Sequence, residues 1–460
     1  MLMVDIFYIR LDSDHRTQGE TRHNGPLYLG QALCGYIAGW PSNVIIKLQD
    51  PEQTPLPEVL DDSEAFLIGT LSFVGVVSCG VAGYLSNLKG RVPCLLLGTM
   101  LCSIGFLLKA LAGNLAMIYV GRCFASLGVG IIFVLNLVYL AEISSTNIRG
   151  IFLVGTGVSN SFGMLIGYIV GGFTSYAVTA WFGFGLAVGF CATLFIIPET
   201  PYFYLLKHEE DIARDVLISL GREDDVKEIL STKLPEPVGM LEGWTEIFSV
   251  KSNRKAVTIT VTLMTLQQMS GVMVVLLFAT SIFELVNSSL ESHISTIIIG
   301  VTQLCASCIT PIFIERSGRR ILLLLTTAVC SLCLILLGLY FYLAHIDHPS
   351  TESIQWLPLV TLIIYLMSYN FGFGIIPGTF NGEMFDTKVR GPGALFSTSV
   401  SWMVGLAVSF TYNIMVENWG SYTTFWIYAA MSAIACLFTA VYVPETKGKS
   451  LEEIKEMLSK

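Results

Sequence analysis

Charge is what this sequence has least of: only 13% of its 460 residues are Asp, Glu, Lys or Arg, while 53% are hydrophobic. A chain of this length with so little polar surface cannot be a set of ordinary soluble domains. Basic tracts are missing as well, and the net charge is −9. Nucleic acid is therefore not an expected partner. There is no glycine-rich loop of the phosphate-cradling kind, no catalytic cluster and no set of metal ligands, so neither an enzyme, a cofactor nor a bound metal is expected. The eleven cysteines fall almost entirely inside apolar stretches, including the pairs Cys305/Cys308 and Cys330/Cys333. They read as reduced packing residues, since Cys behaves as a small hydrophobe. A cleaved leader is not expected either: the apolar run from Met1 to Ile9 is short, is interrupted by Asp5, and is followed by Arg10, Asp12, Asp14, Arg16 and Arg22.

What the chain has is a succession of long apolar runs, near 27–46, 65–85, 92–108, 115–138, 152–174, 178–197, 257–278, 294–314, 321–344, 356–378, 394–415 and 422–443. About 20 apolar residues suffice to cross a bilayer as a helix. The runs are continuous rather than alternating, which excludes a barrel of strands. They are dense in Gly, Ala and Ser, which suits helices that pack closely on one another. The fold class is thus all-α and polytopic, with twelve spans. If the N-terminus is cytoplasmic, 23 of the 26 Lys and Arg residues fall inside, the exceptions being Lys47, Lys109 and Arg122. That bias places both termini in the cytoplasm. One sequon, Asn287-Ser288-Ser289, falls in the outer loop after span 7.

Self-comparison shows the same punctuation twice. Glu142 to Arg149-Gly150 after span 4 repeats as Glu383 to Arg390-Gly391 after span 10, with equal spacing. Gly90-Arg91 repeats as Gly318-Arg319-Arg320, and Pro198-Glu199-Thr200 as Pro444-Glu445-Thr446. The chain therefore divides into a tail (1–26), a six-helix bundle (27–198), a linker (199–256), a second bundle in the same orientation (257–443) and a second tail (444–460). Parallel repeats of this kind place a solute site between the halves near the bilayer midplane. The paired carboxylates and guanidiniums at the inner helix ends are expected to bridge and so close the cytoplasmic side. The linker carries eight basic and a dozen acidic residues, and Ile212, Val216, Leu220, Val226, Ile229 and Leu230 recur at helical spacing with Gly221 as a break. Short amphipathic helices are expected there.

Together these motifs resemble the sugar porter branch of the major facilitator superfamily. The resemblance is carried by Gly121-Arg122 and Gly128-Val-Gly130, the two Glu-to-Arg-Gly runs, Pro198-Glu-Thr-Pro201, Gln267-Gln268-Met-Ser270-Gly271, Gly318-Arg319-Arg320, Gly372-Phe-Gly374-Ile-Ile-Pro377, and the run from Pro444 to Ile454. Within the branch, Gly39-Trp40-Pro-Ser42 and Pro198-Glu-Thr-Pro-Tyr202 resemble the facilitated trehalose transporters of insects. The resemblance implies alternating-access movement of a small sugar or polyol across the plasma membrane, by a carrier that functions as a monomer. It places Gln267, Gln268, Gln303, Asn370 and Ser401 at solute-contacting positions. Amides also bridge helices in lipid, which is the alternative reading of each.

Three positions depart from the family together. Met273 stands where the family has Asn, Gly157 where span 5 offers Gln, and Gly378 where span 10 places Trp. The expected pocket is wider and less polar, so that either the solute is larger or less polar than a hexose or sugar transport has weakened or been lost. A carrier of a non-sugar polyol or amphiphile is the alternative within transport. A non-transporting sensor is the alternative outside it, against which the short tail after Pro444 speaks. Asn87, Leu88 and Tyr202 are further departures, at the inner surface rather than in the pocket.

The apolar runs contain no Asp, Glu, His or Lys, and Arg122 is the single charge expected within a span. Proton or sodium coupling ordinarily uses a titrating group at membrane depth, and Ile37 stands where proton-coupled members of the family carry an acid. Facilitated diffusion is the expectation. Solute loaded into vesicles under an imposed pH gradient should rise to equilibrium and stop there; accumulation above equilibrium refutes it.

Overall fold

The computed structural model describes residues 24–144, 149–220, 222, 226, 245, 247–277, 282, 292–385, 390–447, 449 and 451–459. The helices follow the order of the apolar runs, because backbone groups in lipid must be satisfied within the segment. In the first half they are α1 (Asn24–Gln49), α2 (Asp62–Thr70, a 3₁₀ turn at Leu71–Val74, then Gly75–Lys89), α3 (Arg91–Ala110), α4 (Leu115–Ile143), α5 (Arg149–Phe173) and α6 (Tyr176–Leu194). In the second they are α7 (Lys251–Met269, then Val272–Leu277), α8 (Ser292–Ser317), α9 (Arg319–His345) and α10 (Leu357–Ser368, a π turn at Tyr369–Phe373, then Ile376–Glu383). The stretch Arg390–Tyr442 supplies α11 and α12, divided at Gly420 where φ is 80°. Among the described residues, nine helical stretches are long and apolar enough to cross a membrane, and that last one is long enough to cross twice.

Differences from the sequence reading are local. No loop separates α11 from α12, because a single left-handed glycine turns the chain at Gly420. Of the expected linker helices, Pro201–Leu206 and Glu210–Ser219 are present, the first capped by Thr200 Oγ1, which accepts from the Phe203 amide at 3.4 Å. The positions beyond Leu220 in that expectation, other than Val226, and the Asn287 sequon lie outside the described residues. The tail after Pro444 forms a helix, Leu451–Ser459, which buries Ile454 and Leu458 and packs against α7.

Packing within the first half brings backbones nearly into contact. A Cβ on Gly35 of α1 would strike the Asn160 carbonyl of α5, and one on Gly163 of α5 would strike the Ala32 carbonyl of α1. Between α3 and α4, a Cβ on Gly105 would lie 2.5 Å from the Gly121 carbonyl oxygen, and one on Gly121 would lie 2.7 Å from that of Gly105. Small residues permit this approach, and dispersion between the closely apposed helices stabilises it. In the second half α9 and α12 meet through larger groups, with Phe341 and Phe425 stacked at 5.3 Å and Ser331 donating to the Ala429 carbonyl at 2.9 Å.

The halves meet along two seams. On one, Ser161 of α5 and Ser307 of α8 share a 2.6 Å hydrogen bond, and the Tyr168 hydroxyl donates to the Leu276 carbonyl of α7 at 2.9 Å. On the other, Phe66 of α2 faces Phe410 of α11, while Phe73 of α2 and Phe133 of α4 both pack on Trp402 of α11.

Gly163→Ala should destabilise the protein by about 1–3 kcal/mol, since the new methyl meets backbone that cannot step aside. Gly185→Ala in α6, where a Cβ meets nothing within 4 Å, should leave the thermal midpoint unchanged or slightly raised. Unfolding midpoints in detergent check the pair, and equal behaviour of the two variants contradicts the packing argument.

Candidate functional site

Both helices that open toward the middle of the second half are broken, and the side chains singled out in the sequence cluster at the breaks. α7 stops at Met269 and resumes at Val272 after Gly271, whose φ is 79°. Gln267 and Gln268 occupy the last turn before that break. In α10, Pro377 has no N–H to donate to the carbonyl four residues earlier, which is that of Phe373. Gln267 fills the gap: its Nε2 donates to the Phe373 carbonyl at 2.8 Å and to the Gly374 carbonyl at 2.7 Å. Gln268 turns the other way. Its Nε2 donates to Ser401 Oγ of α11 at 3.0 Å, and its Oε1 is buried without a hydrogen-bond partner. A Cβ on Gly405 would lie 3.3 Å from that oxygen and 2.7 Å from the Phe73 ring of α2, so the free oxygen sits beside the seam between the halves.

Gln303 and Asn370 pair with each other. Asn370 Nδ2 donates to Gln303 Oε1 at 3.2 Å and to the Leu366 carbonyl at 2.8 Å, joining α8 to α10. Met273 packs, half-buried, against the core from the short second segment of α7. A Cβ on Gly157 or Gly378 would meet nothing within 4 Å. Gly157 lies one helical turn before Ser161, on the face of α5 turned toward α8, and Gly378 lies one turn after Gly374 in α10. Open space therefore adjoins both positions.

Arg122 of α4 is wholly buried and its donors are spent on backbone and hydroxyl. Nη1 donates to the Ile37 carbonyl at 2.8 Å, Nε to the Ile68 carbonyl at 3.3 Å, and Nη2 to Ser72 Oγ. The Ile37 carbonyl is available because Pro41, four residues on in α1, has no N–H. The Ile68 carbonyl lies where α2 changes from α to 3₁₀ bonding. Arg122 is not the only buried cation, however, as the sequence reading held. Lys109, read there as lying beyond the end of span 3, is also fully buried: Nζ sits 3.6 Å from the Phe106 ring centroid and 4.2 Å from that of Trp40, with no hydrogen-bond acceptor. The last turn of α3 extends past the apolar run, and aromatic rings from α1 and α3 cover the amine.

At the inner surface, Arg91 and Glu142 form a two-pronged bridge, Nη2 to Oε1 at 2.7 Å and Nε to Oε2 at 3.0 Å. In the second half Arg319 meets Glu383 differently, with Nη2 and Nε both donating to Oε1 at 3.0 and 3.2 Å while Oε2 accepts from Thr446 Oγ1 at 2.5 Å. Each pair joins helices of one half, so the bridges stiffen a bundle and do not themselves span the cleft. Glu199 and Glu445 accept from main chain rather than from guanidinium. Glu199 Oε2 takes the Val92 amide at 3.0 Å, and Glu445 takes the amides of Arg319, Arg320 and Lys447 at 3.0, 3.1 and 3.0 Å. Partial burial would raise the Glu445 carboxyl, but the surrounding backbone N–H donors outweigh it and hold the group below its ordinary value. Arg320 Nη2 donates to the Ala440 carbonyl at 2.6 Å. The side chains of Arg149 and Arg390 lie outside the described residues. Sequence reasoning missed Arg222 in the linker, which donates to the Glu142 and Ile143 carbonyls at 3.3 and 3.2 Å and so caps α4. Only its neighbourhood in space, not its spacing, marks it.

Comparisons with known proteins agree with this architecture. Residues 26–458 match the family described as "Sugar (and other) transporter". The chain is 32% identical over 444 residues to the facilitated trehalose transporter Tret1 of Drosophila yakuba, covering 94% of this chain and 51% of that protein. It is 30% identical over 443 residues to the facilitated trehalose transporter Tret1 of Culex quinquefasciatus, covering 94% and 84%. The chain spans about half the length of the first curated relatives it matches. Among solved structures, the inward-open xylose transporter XylE from E. coli superposes with a TM-score of 0.77 at 22% identity, over 95% of this chain and 99% of that one. Its partially occluded inward-open form superposes equally well, over 94% and 100%. With a family model matched over residues 26–458, this chain belongs to the sugar transporter family.

Proposed function

We propose that this protein is a facilitative carrier that moves a sugar, trehalose or a hexose, across the plasma membrane by rocking its two halves about a central site, with both termini in the cytoplasm and a single copy sufficing. The observation that carries the reading is the placement of Gln267 and Gln268 at the break in α7, buried and beside the seam between the halves, with open space at Gly157 and Gly378. Carboxamides are suited to hydroxyl-rich solutes because each can both donate and accept.

The printed names of the relatives supply trehalose as the first solute to test. A site in which Gly157, Met273 and Gly378 stand in place of two amides and a ring offers open space beside the two glycines and fewer bonds for a hexose. Met273 favours the second reading, a less polar polyol, because a thioether offers a hydroxyl only a weak acceptor. Passive transport is supported by the sign of the buried charge. Among the described residues the buried side chains include Arg122 and Lys109 but no Asp or Glu, and the group on α1 that meets Arg122 is the Ile37 carbonyl rather than a carboxylate. The bridges Arg91–Glu142 and Arg319–Glu383, with the Glu199 and Glu445 caps, hold the inner ends of each half together while the halves move.

Tracer uptake of trehalose, glucose and a polyol panel into proteoliposomes tests the reading. Saturable trehalose or hexose uptake is expected, and its absence with saturable uptake of a polyol selects the second reading. Gln268→Ala should raise KM for the carried solute about ten-fold, the worth of one buried hydrogen bond, and an unchanged KM removes Gln268 from the site. Gln267→Ala should in addition lower the thermal midpoint, since it strands two carbonyls of α10 at roughly 1–3 kcal/mol each. Met273→Asn should lower KM for hexoses if the sugar reading is right.

A further inference from the structure

The amides described so far all belong to the second half, and Gly157 leaves the first half without one at the expected place. The internal repeat points to another. Gln267 stands four residues before Gly271 in α7, and Gln31 stands four residues before Gly35 in α1, the corresponding first helix of its own half. Both glycines mark crowded backbone: a Cβ on Gly35 would strike the Asn160 carbonyl, and one on Gly271 would strike the Tyr428 ring. Gln31 thus holds in the first half the register that Gln267 holds in the second.

Its surroundings are those of a built site. Gln31 is 1% exposed. Its Nε2 donates to the Phe133 carbonyl of α4 at 3.5 Å, and its own main-chain carbonyl accepts from Asn160 Nδ2 of α5 at 3.5 Å. Both neighbours front the opposite half: the Phe133 ring packs on Trp402 of α11, and Asn160 adjoins Ser161, which bonds Ser307 of α8. The open space at Gly157 lies one turn from this point on α5. Gln31 Oε1 is buried with no hydrogen-bond partner, a condition that native interiors rarely tolerate. Asn136, whose Oδ1 is also unpaired, differs in place: its amide lies against Gly30 and the Phe190 ring inside the bundle.

Gln31 and Gln268 therefore share one arrangement. Each spends its NH₂ on the protein and keeps an unpaired acceptor oxygen, one in each half. A solute rich in hydroxyl donors would satisfy both. We propose that Gln31 is a specificity-determining residue of the first half, its Oε1 accepting a hydrogen bond from a hydroxyl of the solute that Gln268 engages from the second half. This rests on the sugar-carrier reading above and adds the half of the site which that reading left without an amide.

Zero-trans uptake of radiolabelled trehalose and glucose into proteoliposomes tests it, with Gln31→Leu and Gln31→Asn beside the parent. For whichever sugar the parent carries, both variants should raise KM about ten-fold and leave the maximal rate per reconstituted transporter unchanged. Competition by the full set of monodeoxy analogues of that sugar supplies a readout that a packing role would not move. The parent should bind one analogue about ten-fold more weakly than its sugar, and Gln31→Leu should treat the two alike. If Gln31→Leu does not reconstitute, Gln31→Asn carries the KM test, because it keeps the amide and withdraws it by one methylene. A parent that transports while the variants keep KM within two-fold and retain the analogue preference overturns the role of Gln31 alone. A parent without saturable uptake of either sugar overturns the sugar reading and this inference with it.

Discussion

Carbonyl groups freed where helices break inside the membrane are the constraint around which this molecule is organised. A chain in lipid has no water to accept that burden, so each break needs a side chain of its own. Pro41 releases the Ile37 carbonyl, and Arg122 from α4 takes it. Pro377 releases the Phe373 carbonyl, and Gln267 from α7 takes it together with that of Gly374. In both cases one proline in the first or fourth helix of a half is answered by a polar group on the fourth or first. Each nitrogen of the Arg122 guanidinium is engaged, two on carbonyls and one on the Ser72 hydroxyl. Gln267 is committed through its nitrogen, so a solute that engaged this amide would also disturb the support of α10. The break in α7 and the break in α10 are thereby joined through one side chain.

The kind of contact differs within and between the halves. Inside the first half, glycines bring helices together so tightly that an added methyl would meet main chain, while in the second half buried rings such as Phe341 and Phe425 fill the contact. Across the seams the contacts are a shared serine hydroxyl bond, one tyrosine bond and aromatic edges. On the α5–α8 seam the approach is also close, since a Cβ on Gly300 would lie 2.8 Å from the Tyr168 ring and 3.0 Å from Leu165 Cδ1. In the rocking proposed above, these cross-half contacts are the ones exchanged, while those inside each half are kept. The inner-surface bridges act in the same sense, because each closes on its own half.

Much of this was legible before any coordinates. The doubled punctuation at Gly90 and Gly318, Glu142 and Glu383, and Glu199 and Glu445 shows two copies of one unit, and the copies superimpose in function: each glycine has positive φ, and each later glutamate meets the start of the helix that follows it. What spacing could not show is the kind of partner. Glu199 and Glu445 look like members of charge pairs in sequence, yet they accept main-chain amides, because a helix start offers unpaired N–H groups that no letter in the sequence marks. Lys109 escaped for a different reason. Its burial depends on Trp40, which lies far away in the chain on α1, so the end of an apolar run says nothing about it. Pro41 and Ile37 are four apart and could have announced a free carbonyl. That Arg122 would meet it could not be read from either.

Glu199 and Glu445 also fix where each bundle ends mechanically. By gripping the first turn of the third helix in its half, each carboxylate anchors the chain just as it leaves the sixth. The chain beyond those anchors is tied back to the bundles as well: Arg222 caps α4, Phe248 lies against Phe396 of α11, and the helix of the second tail packs on α7. A change at those contact residues is therefore felt by the bundle each one touches.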